Sequence, residues 1–128
     1  MNSLITSCVP HACTLNMAKI ITAKTKKVVN KAITPNIPQK RLRALGSHWT
    51  HDKKRQVLVG EFFFTRYLDA FMFATRVTVY AEVHKHYPEI CITPKLVKIT
   101  LVTPLIGAVT EMDLAMAERI NQIISTVH

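Results

Sequence analysis

The side chains best equipped for chemistry near neutral pH gather in one stretch, Glu82-Val83-His84-Lys85-His86-Tyr87-Pro88, with Asp113 further along the chain. Imidazole takes up and releases protons near neutral pH, whereas a tyrosine hydroxyl, with an ordinary pKa of about 10, is a poor base there. His84 and His86 stand at i and i+2, so on a helix they do not share a face. His86 is also placed to end a helix favourably, as a cation near its C-terminus. Asp113 follows Thr110 at the spacing of a capping box, in which hydroxyl and carboxylate together satisfy the first amides of a helix. Cys8, His11 and Cys13 can be drawn as metal ligands, but a fourth ligand at zinc spacing is missing and no metal centre is expected.

The elements that must position these groups are legible from hydrophobic period. Gln39 to Leu45 reads as a short basic helix ended by Gly46, with Trp49 following. Gln56 to Phe64 is rich in β-branched and aromatic residues, and Leu58, Gly60, Phe62 and Phe64 share one face at period two, which predicts a strand. Thr65 is the expected N-cap of a helix ending near His84, its apolar stripe being Tyr67, Ala70, Phe71, Ala74, Val77, Thr78 and Ala81. Pro88 stops that helix and Pro94 interrupts the next stretch. Leu96 to Thr103 alternates, with Val97, Ile99 and Leu101 on one side, as a second strand. After the turn Pro104 to Val109, Thr110 and Asp113 open a last helix with Met116, Ala117, Ile120, Ile123 and Ile124 as its apolar stripe. Helices and strands in this order, with short connections, predict an α+β domain with helices on one face of a mainly antiparallel sheet.

Charge divides the chain in two. Of 128 residues, positions 1–48 hold eight Lys or Arg and no acid, while positions 49–128 hold nine basic and eight acidic side chains. The net +9 therefore belongs mostly to the N-terminal segment. Residues 1–39 are expected to be a basic extension or transit peptide and residues 40–128 the folded domain. A mitochondrial address is the expected localisation, with the cytoplasm as the alternative. A retained arm would instead use Lys24, Lys26, Lys27, Lys31, Lys40, Arg41 and Arg43 against RNA or an anionic surface, by charge and largely without regard to sequence. No apolar run is long enough to span a membrane, and three cysteines at these spacings give no disulfide framework.

Several segments carry a family resemblance in order: Trp49, Phe62-Phe63-Phe64, Ala70-Phe71, Thr75-Arg76-Val77, Ala81-Glu82, His86-x-Pro88-Glu89, Val97-x-Ile99-Thr100-Leu101, Thr103 and Thr110-Glu111-x-Asp113. The chain resembles the pterin-4a-carbinolamine dehydratases, also known as dimerization cofactors of a homeodomain transcription factor. The resemblance implies a four-stranded antiparallel sheet with three helices in the order α-β-β-α-β-β-α, adding short strands near Trp49 and at Ile90 to Thr93, and assembly into dimers or tetramers. It also implies a pterin substrate, no resident cofactor, and a site built on three histidines with assisting acids. The first histidine matches His86, the acids match Glu82 and Asp113, the second histidine is replaced by Tyr87 and the third by Pro104. An aromatic residue expected ahead of the second main strand is Pro94.

Those replacements bear on function through proton transfer. Pro104 has no titratable group and no amide proton, and Tyr87 is a poor base at neutral pH. A positioned acid or base contributes about 10² to 10⁴ in rate, so the site is expected to be catalytically weak or silent. The expected function is a non-catalytic structural or interaction subunit, homo-oligomeric or part of a heteromeric organellar assembly such as a mitochondrial ribosome. The alternative is an active 4a-hydroxytetrahydrobiopterin dehydratase of pterin recycling that works with His86, Glu82, Asp113 and Tyr87.

Overall fold

The structure, a computed structural model, describes residues 37–127. Its elements are α1 (Gln39–Leu45), β1 (Trp49–Asp52), β2 (Val57–Phe63), α2 (Tyr67–His84), β3 (Glu89–Ile92), β4 (Leu96–Leu101) and α3 (Glu111–Ser125). The strands form one antiparallel sheet in the order β1-β2-β4-β3. This is the expected α-β-β-α-β-β-α architecture, including the two short strands that the family resemblance added. Lys24, Lys26, Lys27 and Lys31, with Cys8, His11 and Cys13, lie outside the described residues.

Period two decides which side of the sheet is covered. Leu58 pairs with Leu101, Gly60 with Ile99 and Phe62 with Val97, and these residues form the inward row with Trp49. Phe73 from α2 packs on Phe62 and Phe64, with ring centroids 4.9 and 5.4 Å apart. Trp49 stands edge-on to Phe62 at 5.6 Å. Its indole Nε1 donates to Asn121 Oδ1 at 2.8 Å, and Asn121 Nδ2 donates to the Leu45 carbonyl at 2.7 Å. A single asparagine thus ties β1, α1 and α3 together. Gly60 is glycine for a steric reason: a Cβ there would lie 2.7 to 2.8 Å from the Trp49 ring.

Two expectations about α2 are corrected. Its N-cap is Arg66, not Thr65; Arg66 has extended backbone, makes no side-chain cap bond, and sends its guanidinium to Asp69. The buried stripe is Ala70, Phe73, Ala74, Val77 and Ala81, while Tyr67 and Phe71 point to solvent. The phase shifted because α2 is apolar on more than one side, so the sequence stripe had two solutions. Cys91 lies on the outward side of β3, opposite Lys98. No helix among the described residues is long and apolar enough to cross a membrane.

Candidate functional site

The end of α2 determines where its histidines go. Lys85 adopts the left-handed conformation at φ 53°, and the backbone amides of Lys85 and His86 both donate to the Ala81 carbonyl. A left-handed residue at this position reverses the chain, which glycine does at least cost. The reversal leaves His84 exposed beside Tyr80, with ring centroids 4.1 Å apart, and turns His86 inward to 4% exposure. His86 is therefore a core side chain and not a solvated helix-end cation.

Asp113 reaches the same place from α3. Thr110 and Asp113 form the expected capping box, in which the Thr110 amide donates to Asp113 Oδ2 at 2.8 Å. The Thr103 hydroxyl, just beyond β4, also donates to Oδ2 at 2.8 Å, and the Thr103 and Thr110 hydroxyls stand 2.7 Å apart. The other oxygen, Oδ1, lies 2.7 Å from His86 Nε2, which donates to it. Thr103, Thr110 and Asp113 are all buried. Each carboxylate oxygen is thereby engaged, as a buried charge requires.

The remaining candidates stand apart from this network. Glu82 is exposed and paired with Lys85; its carboxyl is held below the usual carboxylate range, first by the Lys85 hydrogen bond and next by the Tyr87 hydroxyl. A solvated carboxyl that holds its proton so weakly is a poor general acid at neutral pH. Tyr87 is half-buried against the core edge beside that pair. Pro104 is half-buried in the turn after Thr103 and brings no polar hydrogen to the network. The structure thus joins His86 to Asp113, places Glu82 on the surface beside the half-buried Tyr87, and gives Pro104 no chemical part. Thr103 was absent from the sequence-derived site, although a polar residue continuing the inward row of Val97, Ile99 and Leu101 was a visible signal.

The described members of the expected basic arm divide in the same way. Lys40 and Arg43 are exposed. Arg41 is committed elsewhere, as a bidentate pair to Glu111 at 2.5 and 2.6 Å that pins α1 to the start of α3. Among the described residues, no three His, Cys, Asp or Glu side chains are placed to share a metal ion.

Comparison with known proteins places this arrangement. Residues 31–123 match the family described as "Pterin 4 alpha carbinolamine dehydratase". A protein of Rhizorhabdus wittichii named "Putative pterin-4-alpha-carbinolamine dehydratase" is 37% identical over 92 residues, covering 70% of this chain and 95% of that protein. One of the same name from Mycolicibacterium smegmatis is 42% identical over 62 residues, 48% of this chain and 66% of its own. The crystal structure of a transcriptional coactivator/pterin dehydratase from Brucella melitensis superposes with a TM-score of 0.63 at 32% identity, over 69% of this chain and 97% of that one. A pterin dehydratase-like RuBisCO assembly factor of the alpha-carboxysome shares the fold, with a TM-score of 0.53 at 22% identity over 62% of this chain and 92% of its own.

Proposed function

The chain belongs to the pterin 4 alpha carbinolamine dehydratase family, and from that premise we propose that it has given up the family's dehydration chemistry and serves as a structural or interaction subunit. One observation carries this reading. The histidine and the acid retained from the family's site, His86 and Asp113, are buried against each other and employed in capping α3 and anchoring Thr103. The two positions that would complete the acid and base set hold Tyr87 and Pro104. An exposed, ionised Glu82 does not replace them. The fold itself carries non-enzymatic work elsewhere, since a structure of the same fold is described as a RuBisCO assembly factor.

The acid-free, lysine-rich first 48 residues support a mitochondrial setting, with Lys24, Lys26, Lys27 and Lys31 able to neutralise the phosphates of an RNA-containing assembly. Import of the full chain into isolated mitochondria tests the address. A second reading, an active dehydratase, is favoured by the 37% identity across nearly the whole length of a relative bearing that name. In that reading His86 works as the base through Nδ1 while Asp113 holds Nε2.

Restoring the replaced groups separates the two. The full chain and a Tyr87→His/Pro104→His double variant are assayed for dehydration of a 4a-hydroxytetrahydropterin. The proposal expects the chain itself at the uncatalysed rate and any gain, of the order of 10² or more, in the double variant alone. Turnover by the unmodified chain that the two replacements leave unchanged would contradict it.

A further inference from the structure

The turn between β1 and β2 is a cationic projection on a fixed backbone. Lys53, Lys54 and Arg55 follow one another at its tip, and all three are exposed. Asp52 Oδ1 accepts from the backbone amides of Lys54 and Arg55 at 3.0 and 3.1 Å, as in an Asx turn, and Gln56 Nε2 donates to the Lys53 carbonyl at 2.7 Å. Gln56 closes the turn in the left-handed conformation at φ 55°. The three cations therefore leave an ordered backbone, and a partner that binds them does not have to order it.

The cations continue along β1, which is an edge strand. At the start of that strand a cleft of about 370 Å³ lies between α1 and β1, with Gln39, Arg43, Ser47 and Thr50 exposed around it. Lys40, also exposed, precedes Arg43 by three residues and so shares its side of α1. From Thr50 to Lys53 the strand covers about 10 Å, an interval that spans about three phosphates at duplex-like spacing. Arg41, Arg66 and Lys85 each have a carboxylate partner within the chain, whereas none of Lys40, Arg43, Lys53, Lys54 and Arg55 is in an ion pair with a described carboxylate. Asp52 is the one acid between positions 39 and 56, and it is committed to the backbone of the tip. Five like charges along one edge repel one another, and an anionic partner relieves that repulsion.

We propose that this edge of the domain binds the phosphate backbone of double-stranded RNA, with Lys53, Lys54 and Arg55 at one end of the contact and Lys40 and Arg43 at the other. Gln39, Ser47 and Thr50 supply neutral hydrogen bonds to phosphate and sugar oxygens between them. The aromatic residue at the cleft, Trp49, is buried with its indole N–H held by Asn121, so no ring is presented to stack on an unpaired base and the contact is with the backbone. The tip carries no apolar residue that would enter a lipid surface. The inference rests on the reading of the chain as part of an RNA-containing assembly and deepens it, because it puts an RNA contact on the folded domain in addition to Lys24, Lys26, Lys27 and Lys31.

The test uses the full chain, a labelled RNA duplex of about 20 base pairs and arbitrary sequence, and polyglutamate as the acidic competitor. Fluorescence anisotropy reads affinity across a series of salt concentrations. A Lys53→Gln/Lys54→Gln/Arg55→Gln variant is expected to bind at least about tenfold more weakly at low salt. Its slope of log affinity against log salt is expected to be flatter by about 2 to 3, since each lost phosphate contact removes about 0.9. Asp52→Asn keeps the oxygen that holds the turn and removes the acid, so it is expected to bind severalfold tighter than the unmodified chain, a gain that a loss of fold cannot produce. A Lys24→Gln/Lys26→Gln/Lys27→Gln/Lys31→Gln background is expected to leave the effect of the tip substitutions in place. Thermal melts confirm that the variants fold. No RNA binding, a slope that the tip substitutions leave unchanged, or polyglutamate displacing the RNA as well as unlabelled duplex does at equal charge would overturn the proposal, the last in favour of an acidic protein. These results are separable from the parent reading. RNA binding that needs the four lysines of the first 48 residues and is indifferent to the tip refutes this edge alone, whereas pterin turnover by the chain refutes the interaction-subunit role whatever the RNA does.

Discussion

Replacing Asp113 with alanine is expected to destabilise the domain far more than an exposed acid would. Its carboxylate accepts from His86 Nε2, from the Thr110 amide and from the Thr103 hydroxyl, all buried. Alanine leaves the first two donors without an acceptor, and because the Thr103 and Thr110 hydroxyls, 2.7 Å apart, can satisfy only one of their two protons between them, it orphans one hydroxyl as well. Each orphaned buried donor costs about 1 to 3 kcal/mol, so the sum over three is about 3 to 9 kcal/mol. Domains of this size are stable by only about 5 to 15 kcal/mol, so the loss is a large share of the whole. Asp113→Asn keeps one acceptor oxygen and is expected to fall between wild type and Asp113→Ala. Urea titrations followed by far-UV circular dichroism give the differences from the midpoint shifts at constant slope. An Asp113→Ala chain within about 1 kcal/mol of wild type would refute the assignment of this network to the structure of the domain.

Three further outcomes follow from the geometry. Gly60→Ala drives a methyl group into the Trp49 ring at under 3 Å, so it is expected to cost about 1 to 3 kcal/mol and to change the emission of the single tryptophan. His51 has a buried Nε2 with no hydrogen-bond partner, and burial, aided by Lys53, holds its pKa below the ordinary value. The unfolded chain then binds that proton more readily, so stability is expected to fall as pH drops from the ordinary histidine range through the folded value, and a His51→Gln melt series should show a flatter dependence there. Glu111 is held below the usual carboxylate range, by its Arg41 hydrogen bond before any other cause. Its contribution is complete above that range and vanishes as acid protonates it, so Arg41→Ala is expected to cost under about 1 kcal/mol at neutral pH and nothing at the acid end of the same melts.

Much of this fold could be read in the sequence because the apolar residues that face the helices recur at period two, although Val57, Val59 and Thr100 on the other side of the sheet are buried as well. Leu58, Gly60, Phe62 and Phe64 fell on the inward face as their period requires, as did Val97, Ile99 and Leu101. The Thr110–Asp113 capping box was local chemistry at fixed spacing and was legible for the same reason. The core face of α2 was ambiguous because its outer face is apolar as well, so Phe71 and Phe73 could not be told apart by period. The site was half legible. His86 and Asp113 were both visible, but their pairing depends on the left-handed turn at Lys85, a position where a non-glycine residue gives no signal. Trp49 and Asn121 likewise meet across 72 positions of sequence, which no local pattern encodes.

The most direct test of the account is turnover of a 4a-hydroxytetrahydropterin by the purified chain at neutral pH, measured beside a His86→Ala variant of verified fold. The account predicts that both proceed at the uncatalysed rate, because the family's histidine and acid here serve the packing of α3 against β4. Turnover by the chain that disappears with His86 would contradict it and make the buried His86–Asp113 pair a working acid and base.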